Sequence, residues 1–225
     1  MANDKRGGDI DNDGYLDLYF GTGQPDLATL IPNRMFRNAG GKTFEDVTTA
    51  GGFGHLQKGH GIAFGDIDHD GDQDVFAVMG GAYEGDVYAN ALFRNPGNDH
   101  RHVELRLVGT KSNADAIGAR VAVRVLDGET PRTIHRVVTT GGSFGASSLW
   151  LEVGLGKATK IDAVTVAWPA GETQTFRGFD LDCVYQLIEG ASLPKEIDVT
   201  PFHLPAPGEA GAQEADCHEE ESGEG

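Results

Sequence analysis

The pattern Asp-x-Asp-x-Asp-Gly-x-x-Asp occurs at Asp9–Asp17 and again, 57 residues later, at Asp66–Asp74. Each copy puts carboxylates at positions 1, 3, 5 and 9 and glycine at position 6. Alternate side chains of such a loop converge on one point, and the glycine permits the turn that brings the last aspartate round. Four crowded carboxylates repel one another strongly unless a cation sits among them. A hard ion that takes six to eight oxygen ligands suits this spacing, so the loops predict calcium, at about two ions per chain.

The differences between the copies sharpen the ligand set. Position 7 is Tyr15 in one and Asp72 in the other, a tolerance that fits a backbone carbonyl ligand. Positions 4 and 8 also vary, as Asn12 and His69 and as Leu16 and Gln73, as expected of non-ligands. The candidate ligands are therefore Asp9, Asp11, Asp13, Tyr15 and Asp17, with Asp66, Asp68, Asp70, Asp72 and Asp74. A helix–loop–helix site needs an acid at position 12, where this chain has Phe20 or Ala77, so that motif fails. Leu16–Phe20 and Val75–Met79 follow the loops and read as strands.

The loops belong to a longer repeat. Asn33-Arg-Met-Phe-Arg-Asn38 maps onto Asn90-Ala-Leu-Phe-Arg-Asn95, and Gly40 onto Gly97. Self-similarity at a fixed period indicates a repeat architecture such as propeller blades, each a small sheet with a calcium loop at a hairpin. Gly61–Gly65 forms a good strand before the second loop, whereas Asn3–Gly7 before the first is polar. The first repeat is thus expected to lack its opening strand. Two units cannot close a ring, so the pair is expected to lean on the following domain, on another chain, or on more repeats in a longer protein.

From about residue 100 the pattern changes. His102–Val108, Ala119–Val125, Thr133–Thr139, Ser148–Val153, Ile161–Trp168, Thr173–Phe176 and Tyr185–Ile188 read as about seven short strands, punctuated by Gly and Pro. Their apolar positions Val121, Val123, Val125, Leu149, Leu151, Val164, Val166 and Trp168 are core candidates. The expected fold is all-β: two partial propeller-type blades over 1–99 (repeats at about 1–42 and 59–99), a β-sandwich or barrel over 100–190, and a disordered acidic tail over 191–225.

The net charge of −17 divides into −9 over residues 1–99, +1 over 100–188 and −9 over 189–225. The first excess is largely the two loops. No basic footprint exists for a phosphate backbone, which argues against nucleic acid as a partner. No apolar run approaches the ~20 residues that span a bilayer, and the first residues show no export signal. With two cysteines, Cys183 and Cys217, no disulfide framework holds the fold together; two free thiols are the simpler expectation.

Other motifs have plainer explanations. Gly141-Gly-Ser143-Phe-Gly145 matches G-x-S-x-G, but a strand follows where that elbow needs a helix. Gly59–Gly65 lacks dinucleotide spacing and opens no helix. His55 with His60, or His100 with His102, could ligate a transition metal, but such paired histidines are common by chance and the sequence has no CxxC or Cys/His spacing of a zinc site. Arg120, Arg124, Arg132 and Arg136 give the second half a basic face that meets either the acidic loops or solvent.

The acidic loops and the Asn-x-x-Phe-Arg-Asn segments resemble FG-GAP/VCBS-type propeller repeats, relatives of which occur in integrin α-chains and cartilage acidic proteins. Gly109–Arg120, Gly154-Leu-Gly156 and Val166-Ala-Trp-Pro-Ala-Gly171 resemble the ASPIC/UnbV domain. The resemblance implies an extracellular or periplasmic, calcium-stabilised recognition, adhesion or scaffold protein, and it assigns no catalytic residue. An unknown protein or glycan is the expected ligand. The alternatives are a carbohydrate-binding or enzyme-accessory module, with Trp150, Trp168, Tyr83 and Tyr88 as stacking surfaces, and an assembly subunit that self-associates through the incomplete first blade.

Overall fold

The structure is a computed structural model and describes residues 2–22, 31–81, 84–85, 87–141, 144–146 and 148–204, with side chains from residue 7 onward. The described residues form fifteen strands and no helix. The strands make four blade-like sheets.

The first sheet is a meander of β1 (Ala2–Gly8), β2 (Asp17–Thr22), β3 (Arg34–Ala39) and β4 (Thr43–Asp46), in that order. The second is β5 (Gly59–Gly65), β6 (Asp74–Met79) and β7 (Ala91–Phe93). The acidic loops are the β1–β2 and β5–β6 hairpins, closed by the pairs Gly8↔Asp17 and Gly65↔Asp74. The repeat thus extends to register. It ends where the chain changes sheet: the stretch 57 residues beyond β4 begins β8 (Arg101–Val108), which pairs elsewhere.

One expectation is corrected here. The first repeat does have an opening strand, because β1 pairs antiparallel with β2 from Ala2 to Gly8. It lies at the sheet edge, where a polar sequence suits a strand with one free side. An apolar pattern was the wrong thing to look for. The same strand removes the premise of self-association through a missing strand.

The second half contains β8, β9 (Arg120–Asp127), β10 (Thr130–Val137), β11 (Leu151–Gly156), β12 (Lys160–Ala167), β13 (Thr173–Phe176), β14 (Val184–Ile188) and β15 (Lys195–Ile197). Its two sheets run β10-β9-β12-β13 and β11-β8-β14-β15, and the β8–β14 pair is parallel. Residues of both sheets share one core. Val121, Val123, Val125, Leu151, Val164, Val166 and Trp168 lie in it, with Leu149 packed at its margin. A smaller core of Tyr19, Met35, Ile62, Phe64, Val75, Ala77 and Met79 joins the first two sheets.

The tail boundary is also corrected. β15 falls inside the segment expected to be disordered, and pairs with Val184–Gln186. The Phe202 N–H then donates to the Asp68 carbonyl at 2.9 Å. Pro194 and Pro201 bracket an edge strand, a position proline tolerates. Cys217 and residues 205–225 lie outside the described residues.

Candidate metal centre

The first loop gathers one carboxylate oxygen each from Asp9, Asp11 and Asp13 within 4.8 Å of one another. Glycine is needed at position 6, because Gly14 adopts φ +94° and Gly71 φ +91°. The Gly14 N–H donates to Asp9 Oδ2 at 3.0 Å, and Arg136 Nη2 donates to the same oxygen at 2.8 Å. Asp9 Oδ1 is buried with no hydrogen-bond partner, in a residue only 1% exposed. The second half clamps this loop from behind. Arg132 donates to the Asp13 carbonyl at 2.7 Å, and the Gly156 N–H to the Asn12 carbonyl at 2.7 Å.

The second loop gathers Asp66, Asp68 and Asp70 in the same way. Gly71 N–H donates to Asp66 Oδ2 at 2.8 Å, the counterpart of the Gly14 bond. Asp68, 3% exposed, keeps Oδ1 buried and without a partner. The loops touch each other: Asn12 Nδ2 donates to the Gly71 carbonyl and to Asp72 Oδ1, both at 3.0 Å. The Asp9 N–H donates to Gln73 Oε1 at 2.6 Å.

Asp17 and Asp74 are not members of these trios. Asp17 accepts the Ile10 N–H on one oxygen (2.9 Å) and the Asn38 N–H on the other (2.7 Å). Asp74 does the same with Ile67 (3.2 Å) and Asn95 (2.8 Å). The position-9 carboxylate therefore ties the start of its own loop to the end of the Asn-x-x-Phe-Arg-Asn segment. The first asparagine of that segment has a matching task, as Asn33 Oδ1 accepts the Thr22 N–H and Asn90 Oδ1 the Met79 N–H. Tyr15 and Asp72 lie outside both trios, and Arg132 sits over the Tyr15 ring at 6.0 Å.

A family model described as FG-GAP-like repeat matches residues 9–77, and one described as ASPIC and UnbV matches residues 109–194. The chain joins an FG-GAP repeat segment to an ASPIC/UnbV domain. No curated protein matches it.

The first ASPIC/UnbV segment, from Gly109, is a carboxylate cradle. The N–H groups of Thr110, Lys111 and Ser112 all donate to Glu189 Oε2 at 2.7–2.8 Å, and Ser112 Oγ donates to Oε1 at 2.9 Å. The second, Gly154-Leu-Gly156, is where the domain meets the FG-GAP loops. A Cβ on Gly154 would stand 2.4 Å from Asn12 Cα.

Burial that outweighs the available counter-charge marks the junction electrostatically. Desolvation pushes Asp9 up to about 7 even though Arg136 pulls it down. Desolvation likewise raises Asp17 to about 7, and Asp72 to about 6 with help from Asp70. On the ASPIC/UnbV side, Glu152 rises to about 7 by desolvation, while Glu104 rises to about 8 by desolvation and by the Asp66 charge. Carboxylates so disposed gain from a cation. The oxygen-only trios and their partnerless buried oxygens fit calcium.

Glu104 and Glu152 were not legible as site residues, and Arg136 only as one member of a basic face. Glu104 alternates with Val103 and Leu105 in β8 and should face solvent, but the second loop covers that face and leaves it 4% exposed. Of the basic residues, Arg132 and Arg136 meet the loops, whereas Arg124 faces Asp162. The histidines weighed for zinc are spread out. His55 packs on Tyr88, His60 on Phe144, His100 Nδ1 bonds the Asp11 carbonyl at 2.6 Å and His102 faces Asp182. Of the aromatics, Trp168 is core, Arg106 covers Trp150, and Tyr83 lies outside the described residues, as does Ser143.

Proposed function

We propose that this chain is a calcium-stabilised, non-catalytic recognition or scaffold module that works outside the cytoplasm. One observation carries the reading: two repeat-related loops each present three converging aspartates, with a buried aspartate oxygen that has no donor. Asp9, Asp11 and Asp13 would hold one ion and Asp66, Asp68 and Asp70 another, with the carbonyls of Tyr15 and Asp72 and the carboxylates of Asp17 and Asp74 completing the sets. Calcium would cancel the repulsion among these oxygens and brace two adjacent hairpins.

In this reading the first two sheets are partial propeller blades and the second pair, with its common core, is a sandwich. Recognition of a protein or glycan falls to surfaces that these braced elements present. FG-GAP repeats are typical of extracellular proteins, which supports the location; no described helix is long and apolar enough to cross a membrane. Sites of extracellular modules bind calcium at ~0.1–1 mM, and saturation a hundredfold above Kd stabilises by about 2.7 kcal/mol per site. Excess chelator should therefore lower Tm by several degrees, and mass spectrometry should find about two calcium ions per chain. No uptake at millimolar calcium, with an unchanged Tm, would overturn the proposal.

A further inference from the structure

The repeat makes Asp9 and Asp66 equivalent, yet the ASPIC/UnbV half answers them with opposite charges. At Asp9 it supplies the Arg136 guanidinium, 2.8 Å away. At Asp66 it supplies Glu104, a carboxyl 4% exposed. Two acids thus face each other across the junction where the other copy has an ion pair.

His69 completes the group. One carboxylate oxygen each from Asp66 and Glu104 and a ring nitrogen of His69 lie within 4.8 Å of one another. His69 Nδ1 is buried and has no hydrogen-bond partner, and the adjoining Asp68, 3% exposed, has an oxygen in the same condition. The loop fixes the ring's place, because His69 sits in the left-handed region at φ +57°, as Asn12 does at +53°. Trp150 and Phe202 flank the imidazole at 6.4 and 6.1 Å.

We propose that Asp66, His69 and Glu104 form a transition-metal site of the zinc class, one that joins the second acidic loop to β8. An imidazole with two carboxylates offers a mixed N/O donor set, which suits zinc or cobalt, whereas calcium takes oxygen ligands. Three protein ligands leave a position for water. A cavity of about 580 Å³ opens beside the group, lined in part by His69, His102, Glu104 and Asp182, and gives ion and water a route in. The site borrows Asp66 from the calcium reading and otherwise stands apart from it.

The test uses the full chain stripped of metal. One equivalent of cobalt(II) should produce a visible d–d absorption that zinc abolishes and calcium leaves in place. His69→Asn installs the residue that the first repeat carries in the same backbone conformation. It and Glu104→Gln should each weaken zinc binding at least roughly tenfold, the lower end of what loss of even an outer-shell partner costs. His135→Ala, exposed on β10, should leave the titration unchanged and so rule out adventitious imidazole binding. If Glu104→Gln does not fold by circular dichroism, His69→Asn decides alone. Zinc and cobalt binding no tighter than calcium, or binding His69→Asn as well as wild type, would overturn the site. Failure of the calcium reading shows separately, as a Tm indifferent to calcium.

Discussion

Asp17 and Asp74 close their loops with both oxygens, each accepting one backbone N–H from the start of its own loop and one from the end of the asparagine segment. Spacing alone assigned them to the ion. The hydrogen bonds give them a task that persists without one. Asp17 is fully buried, so Asp17→Ala would strand two N–H groups, at about 1–3 kcal/mol each. Its urea-unfolding free energy in excess chelator should fall by about 2–6 kcal/mol. Asp17→Asn, which keeps an acceptor, should lose less. Asp11→Asn should change stability little in chelator and weaken calcium uptake instead. Equal stability of Asp17→Ala and wild type in chelator would make position 9 a ligand and nothing more.

Among the elements, β11 bears a close backbone contact between the two halves. Its Gly154 lies against the backbone of Asn12, and neither chain can give way to a methyl group without moving the loop. Gly154→Ala should cost about 1–3 kcal/mol, the range for forced overpacking, and should weaken calcium binding at the first loop. A variant with unchanged thermal and calcium titrations would contradict that placement. The same elements show what a sequence can and cannot display. β9 and β12 were legible because Val121, Val123, Val125, Val164 and Val166 alternate over a face that meets one core. β1 and β15 were not, since edge strands with polar residues carry no alternation to read. The loops were legible as repeated acidic turns, and the repeated asparagines as a motif, but their bonds to position 9 belong to tertiary geometry. Glu104 was hidden for a related reason: alternation marks a residue's face, not what a distant loop lays over it.

The whole molecule places its acidic half against a nearly neutral one, and the junction leaves Asp9, Asp17 and Glu152 at about 7 and Glu104 at about 8, mainly through desolvation. Their ordinary values lie near 4. Between those limits the folded chain holds more protons than the unfolded one, so stability must fall as pH rises. The contribution is complete below about pH 4 and is lost as pH climbs through 7 to 8. Glu189 behaves oppositely: burial pushes it up, but the three N–H groups of its cradle outweigh this and hold it at about 2. Its stabilisation disappears only as the solution is acidified through that value, outside the window of interest. Tm measured in chelator should therefore decline from pH 5 to pH 8.5. Millimolar calcium should flatten that decline, because an ion among the loop carboxylates favours the ionised form that burial alone disfavours. A Tm in chelator that climbs over the same range would mean that the junction keeps its carboxylates charged unaided, and the case for a cation there would fail with it.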